Sequence, residues 1–109
     1  MTPTADREYV VRFIPSDAKV HPLDENIDVE VVFEDGTRYV ATFFTLANIK
    51  MLFEKNARTG ECANGTYFWA SDMIIVRALT MESVYRAVAD LIASGEFEKA
   101  FAGPYPEDS

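Results

Sequence analysis

Residues 27–44 read IDVEVVFEDGTRYVATFF. Ile27, Val29, Val31 and Phe33 alternate with Asp28, Glu30, Val32 and Glu34. A period of two places the first set on one side of a strand and the second on the other, one side buried and one largely wet. Asp35-Gly36 follows, and glycine accepts a positive φ without steric cost, so the chain turns back as a hairpin. Residues 37–44 form the return strand. A two-residue turn pairs Glu34 with Thr37, whereas a three-residue turn with a bulge pairs Phe33 with Thr37. The two registers place Tyr39 on opposite faces.

Thr45 has the character of a helix N-cap. Leu46, Ile49, Leu52 and Phe53 then recur at the spacing of one helical face. Lys55 and Arg58 fall in the last turn, where the helix dipole favours cations, and Gly60 is a C-cap candidate. Residues 61–65 read as a polar loop with an Asn64-Gly65 turn. TYFWA (66–70) and MIIVRA (73–78) are β-like, either two short strands or one bent at Ser71-Asp72. Thr80 caps a second long helix whose stripe is Met81, Val84, Val88, Leu91 and Ile92, and Gly95 stops it. Residues 96–101 add a short final turn. Upstream, Tyr9, Val10, Val11, Arg12, Phe13 and Ile14 suit a first strand that Pro15 ends. The order β, β-hairpin, α, β(β), α predicts an α+β fold: an antiparallel sheet of four to five strands with two main helices packed on one face. Residues 9–102 are expected to form the single domain, with 1–8 frayed and 103–109 a flexible tail.

The 109 residues are 49% hydrophobic and 13% aromatic, enough to build a core without metal or disulfide. One cysteine permits no internal disulfide. The N-terminal residues MTPTADREYVVRF lack a basic region followed by an apolar core, so a cytoplasmic location is the expectation. Ten basic residues against eighteen acidic ones give a net charge of −8. That field repels phosphate backbones and anionic lipid, so neither nucleic acid nor membrane is an expected partner; it would steer a basic protein. The surplus lies mainly beyond residue 60, where eight acidic side chains face three basic ones.

No Gly-rich phosphate loop, GxSxG, HExxH or CxxC is present, and no catalytic residue, metal site or cofactor is assigned. His21 reads as a solvated loop residue and Cys62 as a half-buried structural thiol. Asp72 interrupts an aromatic and apolar run. Its bland role is an Asx turn; its functional role is a carboxylate on a partner-facing surface beside Tyr67 and Trp69. Glu61 and Asn64 complete that candidate partner-binding set. Tyr67 and Trp69 are expected in the core, beneath the helices. Turned outward they would form an aromatic patch of the kind that meets a partner.

The stretch GECANGTYFWASDMIIV, with the preceding FEDGTRYVATFFTLANI, resembles a pattern in small uncharacterised bacterial proteins, a resemblance that implies no activity. In size, acidity and helix-covered sheet the chain is similar to immunity proteins that neutralise bacterial toxins. That resemblance implies a cytoplasmic binder that blocks a basic toxin domain. The expected function is therefore a non-enzymatic protein-binding module. The alternatives are a small-ligand binder or enzyme with a carboxylate pocket around Glu61, Cys62 or Asp72, and a self-assembling domain, a homodimer included.

Overall fold

A computed structural model describes residues 8–106. Strands β1 (Tyr9–Ile14), β2 (Asn26–Phe33) and β3 (Arg38–Thr45) form a meander. Helix α1 (Leu46–Thr59) leaves β3 directly, followed by α2 (Glu61–Gly65), strand β4 (Met73–Val76), helix α3 (Met81–Ser94), the short α4 (Phe97–Ala100) and strand β5 (Ala102–Tyr105). The sheet order is β1-β2-β3-β4, and β5 pairs with the first half of β3 on the edge that β4 occupies further along. The expected α+β fold with a largely antiparallel sheet is present. One pairing, β3 with β4, runs parallel. A parallel neighbour needs a long crossover, and α1 with residues 60–72 supplies it.

The hairpin takes the longer turn. Phe33 N–H donates to the Thr37 carbonyl at 2.9 Å, and Val31 lies opposite Tyr39. Asp35 Oδ1 accepts from the Thr37 N–H and hydroxyl, an Asx turn that holds this register. Tyr39 therefore joins Val29, Val31, Phe33, Ala41 and Phe43 on the buried face. Val84, Val88 and Ile92 of α3 complete the same core with Phe97 and Phe101. Phe97 packs edge-on against both Phe33 and Tyr39.

Of the two long helices expected over that face, α3 lies there. Helix α1 contributes no side chain to the core. Its caps are as expected: Thr45 accepts from the Asn48 N–H, and Gly60 is left-handed. Its stripe is only partly covered: Ile49, Leu52 and Phe53 are half-buried, Leu46 is 65% exposed, and the buried α1 residues are Asn48 and Asn56. The apolar contact of α1 runs through Phe53 to Phe68, and Phe68 in turn meets Phe44 edge-on at 5.4 Å. Phe44 projects from the opposite side of β3 to Phe43, so α1 belongs to a separate aromatic cluster.

The C-terminal expectation also needs correction. Residues 103–105, expected in a flexible tail, lie in β5. Gly103 allows this approach, since a Cβ there would stand 2.8 Å from both the Arg38 carbonyl and the Tyr39 ring. Residues 107–109 of the expected tail and residues 1–7 of the frayed start lie outside the described residues.

Candidate functional site

The segment between α1 and β4 carries all five candidate residues. It opens with an unusual turn. Cys62, Ala63 and Asn64 adopt left-handed helical angles, with φ of 50°, 52° and 59°. Each costs about 1 kcal/mol or more in a residue with a Cβ. The turn is held by the Thr66 N–H on the Cys62 carbonyl (3.0 Å), by the Thr66 hydroxyl on the Ala63 carbonyl (2.6 Å) and by Lys55 paired with Glu61 at 3.3 Å. Gly65 seals it against α1: a Cβ would stand 2.7 Å from the Phe53 carbonyl and 2.8 Å from the Ala57 nitrogen. Backbone thus meets backbone, and the chain emerges alongside α1 rather than beside the sheet.

Residues 66–70 are consequently not a strand, although TYFWA has strand composition. No ladder receives them, because β4 begins only after Ser71 and Asp72. Asp72 makes the bend the sequence called for, with φ of 50° and its carbonyl accepting from the Thr42 N–H at 3.0 Å. The Asx turn expected there does not form: the Asp72 carboxylate is exposed and accepts no hydrogen bond among the described residues.

Phe68 is the pin of the segment. Its ring sits between Phe44 and Phe53, which turns its two neighbours away. Tyr67 is 50% exposed and Trp69 is 66% exposed. The expectation that both lie in the core is overturned, for the physical reason that one of three consecutive aromatics fills the space α1 leaves. Ile75, the neighbour of Phe44 in register on β4, is also half exposed. Glu61, Asn64 and Asp72 are exposed nearby in sequence. Lys50, Lys55, Arg58 and Arg77 face Glu54, Glu61 and Asp72 across residues 46–77, a net of +1, which leaves −9 on the rest of a chain whose total is −8. The acidic field therefore originates away from the aromatic pair.

His21 and Cys62 are not joined by any contact. His21 is exposed, and its Nδ1 accepts from the Leu23 N–H at 3.1 Å in a local turn. Cys62 is partly buried. Three surface concavities are lined by residues between 8 and 38, and none includes Glu61, Cys62 or Asp72. Among the described residues no three His, Cys, Asp or Glu side chains group as metal ligands, and no helix is long and apolar enough to cross a membrane.

A constellation that no local pattern in the sequence signals lies on the face of the sheet opposite the core. Glu30, read as a residue of the wet face, is only 5% exposed. Arg12 Nε donates to its Oε1 at 2.6 Å, and Arg38 Nη1 donates to its Oε2 at 2.7 Å. Burial alone would raise the Glu30 carboxyl, but the hydrogen bonds and charges of Arg38 and Arg12 outweigh it and hold the carboxyl below its ordinary value. Only the strand registers, Arg12 opposite Glu30 and the hairpin pairing, bring the three together. No family model, characterised protein or solved structure matches the chain.

Proposed function

We propose that this chain is a non-enzymatic protein-binding module whose anchor is the outward pair Tyr67 and Trp69. One observation carries the reading: Phe68 is locked between Phe44 and Phe53 while the aromatics on either side of it face solvent. Large aromatic side chains held in place before contact lose little freedom on binding and dominate interface energetics. Glu61, Asn64 and Asp72 supply a polar rim. The partner that suits the whole-chain charge is basic, as for an immunity-type inhibitor of a basic toxin in the cytoplasm. The acidic body steers the encounter and the aromatic pair holds the complex.

The test pairs wild type with Tyr67→Ala and Trp69→Ala in capture from the native cell at low salt, followed by titration of the purified partner. Loss of a hot-spot aromatic costs about 2 kcal/mol or more, so affinity should fall roughly thirtyfold, mostly as faster dissociation. Added salt should slow association. A partner whose affinity ignores both substitutions would refute the reading.

Self-association is the second reading, and the half-exposed Ile75 on the short edge strand β4 favours it. A concentration-dependent sedimentation coefficient that Ile75→Lys abolishes would support it. A monomer at high concentration would remove it.

A further inference from the structure

The Arg12, Glu30 and Arg38 cluster carries more positive charge than its internal pairing requires. One arginine neutralises one carboxylate. Two leave a net charge of +1 on the cluster itself, in an otherwise acidic protein. The donors are also in surplus. A guanidinium offers five N–H groups. Arg12 uses Nε alone, and its Nη1 and Nη2 groups make no hydrogen bond among the described residues. Arg38 spends Nη1 on Glu30 and Nε on the Pro106 carbonyl (3.2 Å), leaving Nη2. Both guanidinium groups are held in place. Glu30 grips each of them, and the Arg38 Cζ lies 5.8 Å from the centre of the Tyr105 ring. The two arginines and Glu30 line a concavity of about 360 Å³ together with Ser16, whose hydroxyl makes no hydrogen bond among the described residues.

The geometry points to an oxyanion site at Arg12, Ser16 and Arg38, taking a carboxylate or a phosphate, with Glu30 as the buried strut that spaces the two guanidinium groups. Planar guanidinium edges match the paired oxygens of both anions. The strut is needed because two arginines on β1 and β3, on either side of β2, would otherwise repel and swing apart. The acid next along the same face is Asp28; it keeps its charge but makes no ion pair with either arginine, its Oδ1 accepting from the Thr42 hydroxyl at 2.7 Å. More distant acidic groups are screened over about 8 Å at physiological ionic strength. The site is built from β1, β2, β3 and the turn after β1, so it is separate from the Tyr67 and Trp69 surface and stands without it.

The experiment is titration of the nitrogen-15-labelled chain with inorganic phosphate and, separately, with acetate, at constant ionic strength set by sodium chloride. The Nε–H resonances of Arg12 and Arg38 and the Ser16 amide should move along saturable curves. Saturation by phosphate alone identifies a phosphate site; saturation by acetate, alone or as well, identifies a carboxylate site. Arg12→Gln should weaken the response of Arg38 at least tenfold. Ser16→Ala, at an exposed position where folding is not at stake, should weaken it several-fold. Linear shifts with both anions, or curves unchanged in both variants, would mean an adventitious ion only and would overturn the proposal.

Discussion

Phe68 and Trp69 are adjacent, aromatic and similar in bulk, yet truncating them should have different consequences. A fully buried phenylalanine replaced by alanine costs about 3–5 kcal/mol. Phe68 is half-buried, but it carries the edge-on contact with Phe44 and the tilted contact with Phe53, so Phe68→Ala should cost about 2 kcal/mol. Trp69 is 66% exposed, and part of its covered area is already covered by neighbours in the unfolded chain. Trp69→Ala should therefore cost about 1 kcal/mol or less. For a domain near 100 residues, 1 kcal/mol moves Tm by roughly 4–8 °C, which separates the two variants clearly. Urea unfolding followed by circular dichroism gives the free energies, and collisional quenching of the single tryptophan reports its accessibility directly. The binding consequence runs the other way, because Trp69→Ala removes the anchor and leaves the fold. Equal destabilisation by both substitutions, or a tryptophan that quenchers cannot reach, would refute the assignment of Phe68 as pin and Trp69 as displayed.

Glu30→Gln leaves two arginines without their counter-charge and should destabilise the fold at neutral pH. Since the folded carboxyl titrates below its ordinary value of 4.5, its contribution is fully present above that pH and is lost as pH falls through the lower folded value; the gap between wild type and variant in urea midpoints should narrow in acid. Gly65→Ala meets the α1 backbone at 2.7 Å with φ of 78°, so it should cost about 2 kcal/mol or more and raise hydrogen exchange in residues 60–70, whereas Gly95→Ala, with open space around it, should cost less. Tyr85→Phe deletes the hydroxyl that accepts from the Val11 N–H at 3.1 Å on the edge strand β1; a loss of about 1 kcal/mol with faster exchange of that single amide is expected.

Much of the architecture was legible in local patterns. Alternation across residues 27–33 named the buried face of β2, and Thr45, Gly60, Thr80 and Gly95 marked the ends of both long helices. These are short-range effects: a pleat of period two, a hydroxyl reaching an N–H three residues on, and a glycine free to turn left-handed. The hairpin register was open in the sequence because Phe33 and Glu34 can each face Thr37. Packing chose Phe33, since only that choice sends Tyr39 inward to Phe97. The segment 66–70 has strand composition, but a strand needs a partner edge, and the left-handed turn sealed by Gly65 delivers it to α1 instead.

The candidate site divides the same way. The sequence by itself determined that the chain would be acidic, rich in aromatics and built as an α+β domain, and that Asp72 would sit at a bend, because charge, composition and turn chemistry are properties of residues and their near neighbours. Only the tertiary structure decided that Phe68 turns inward while Tyr67 and Trp69 face outward, and that Arg12 and Arg38 converge on Glu30. Which side of a segment is covered, and which charges meet across strands, depend on contacts between residues far apart in the chain, and no local pattern encodes them.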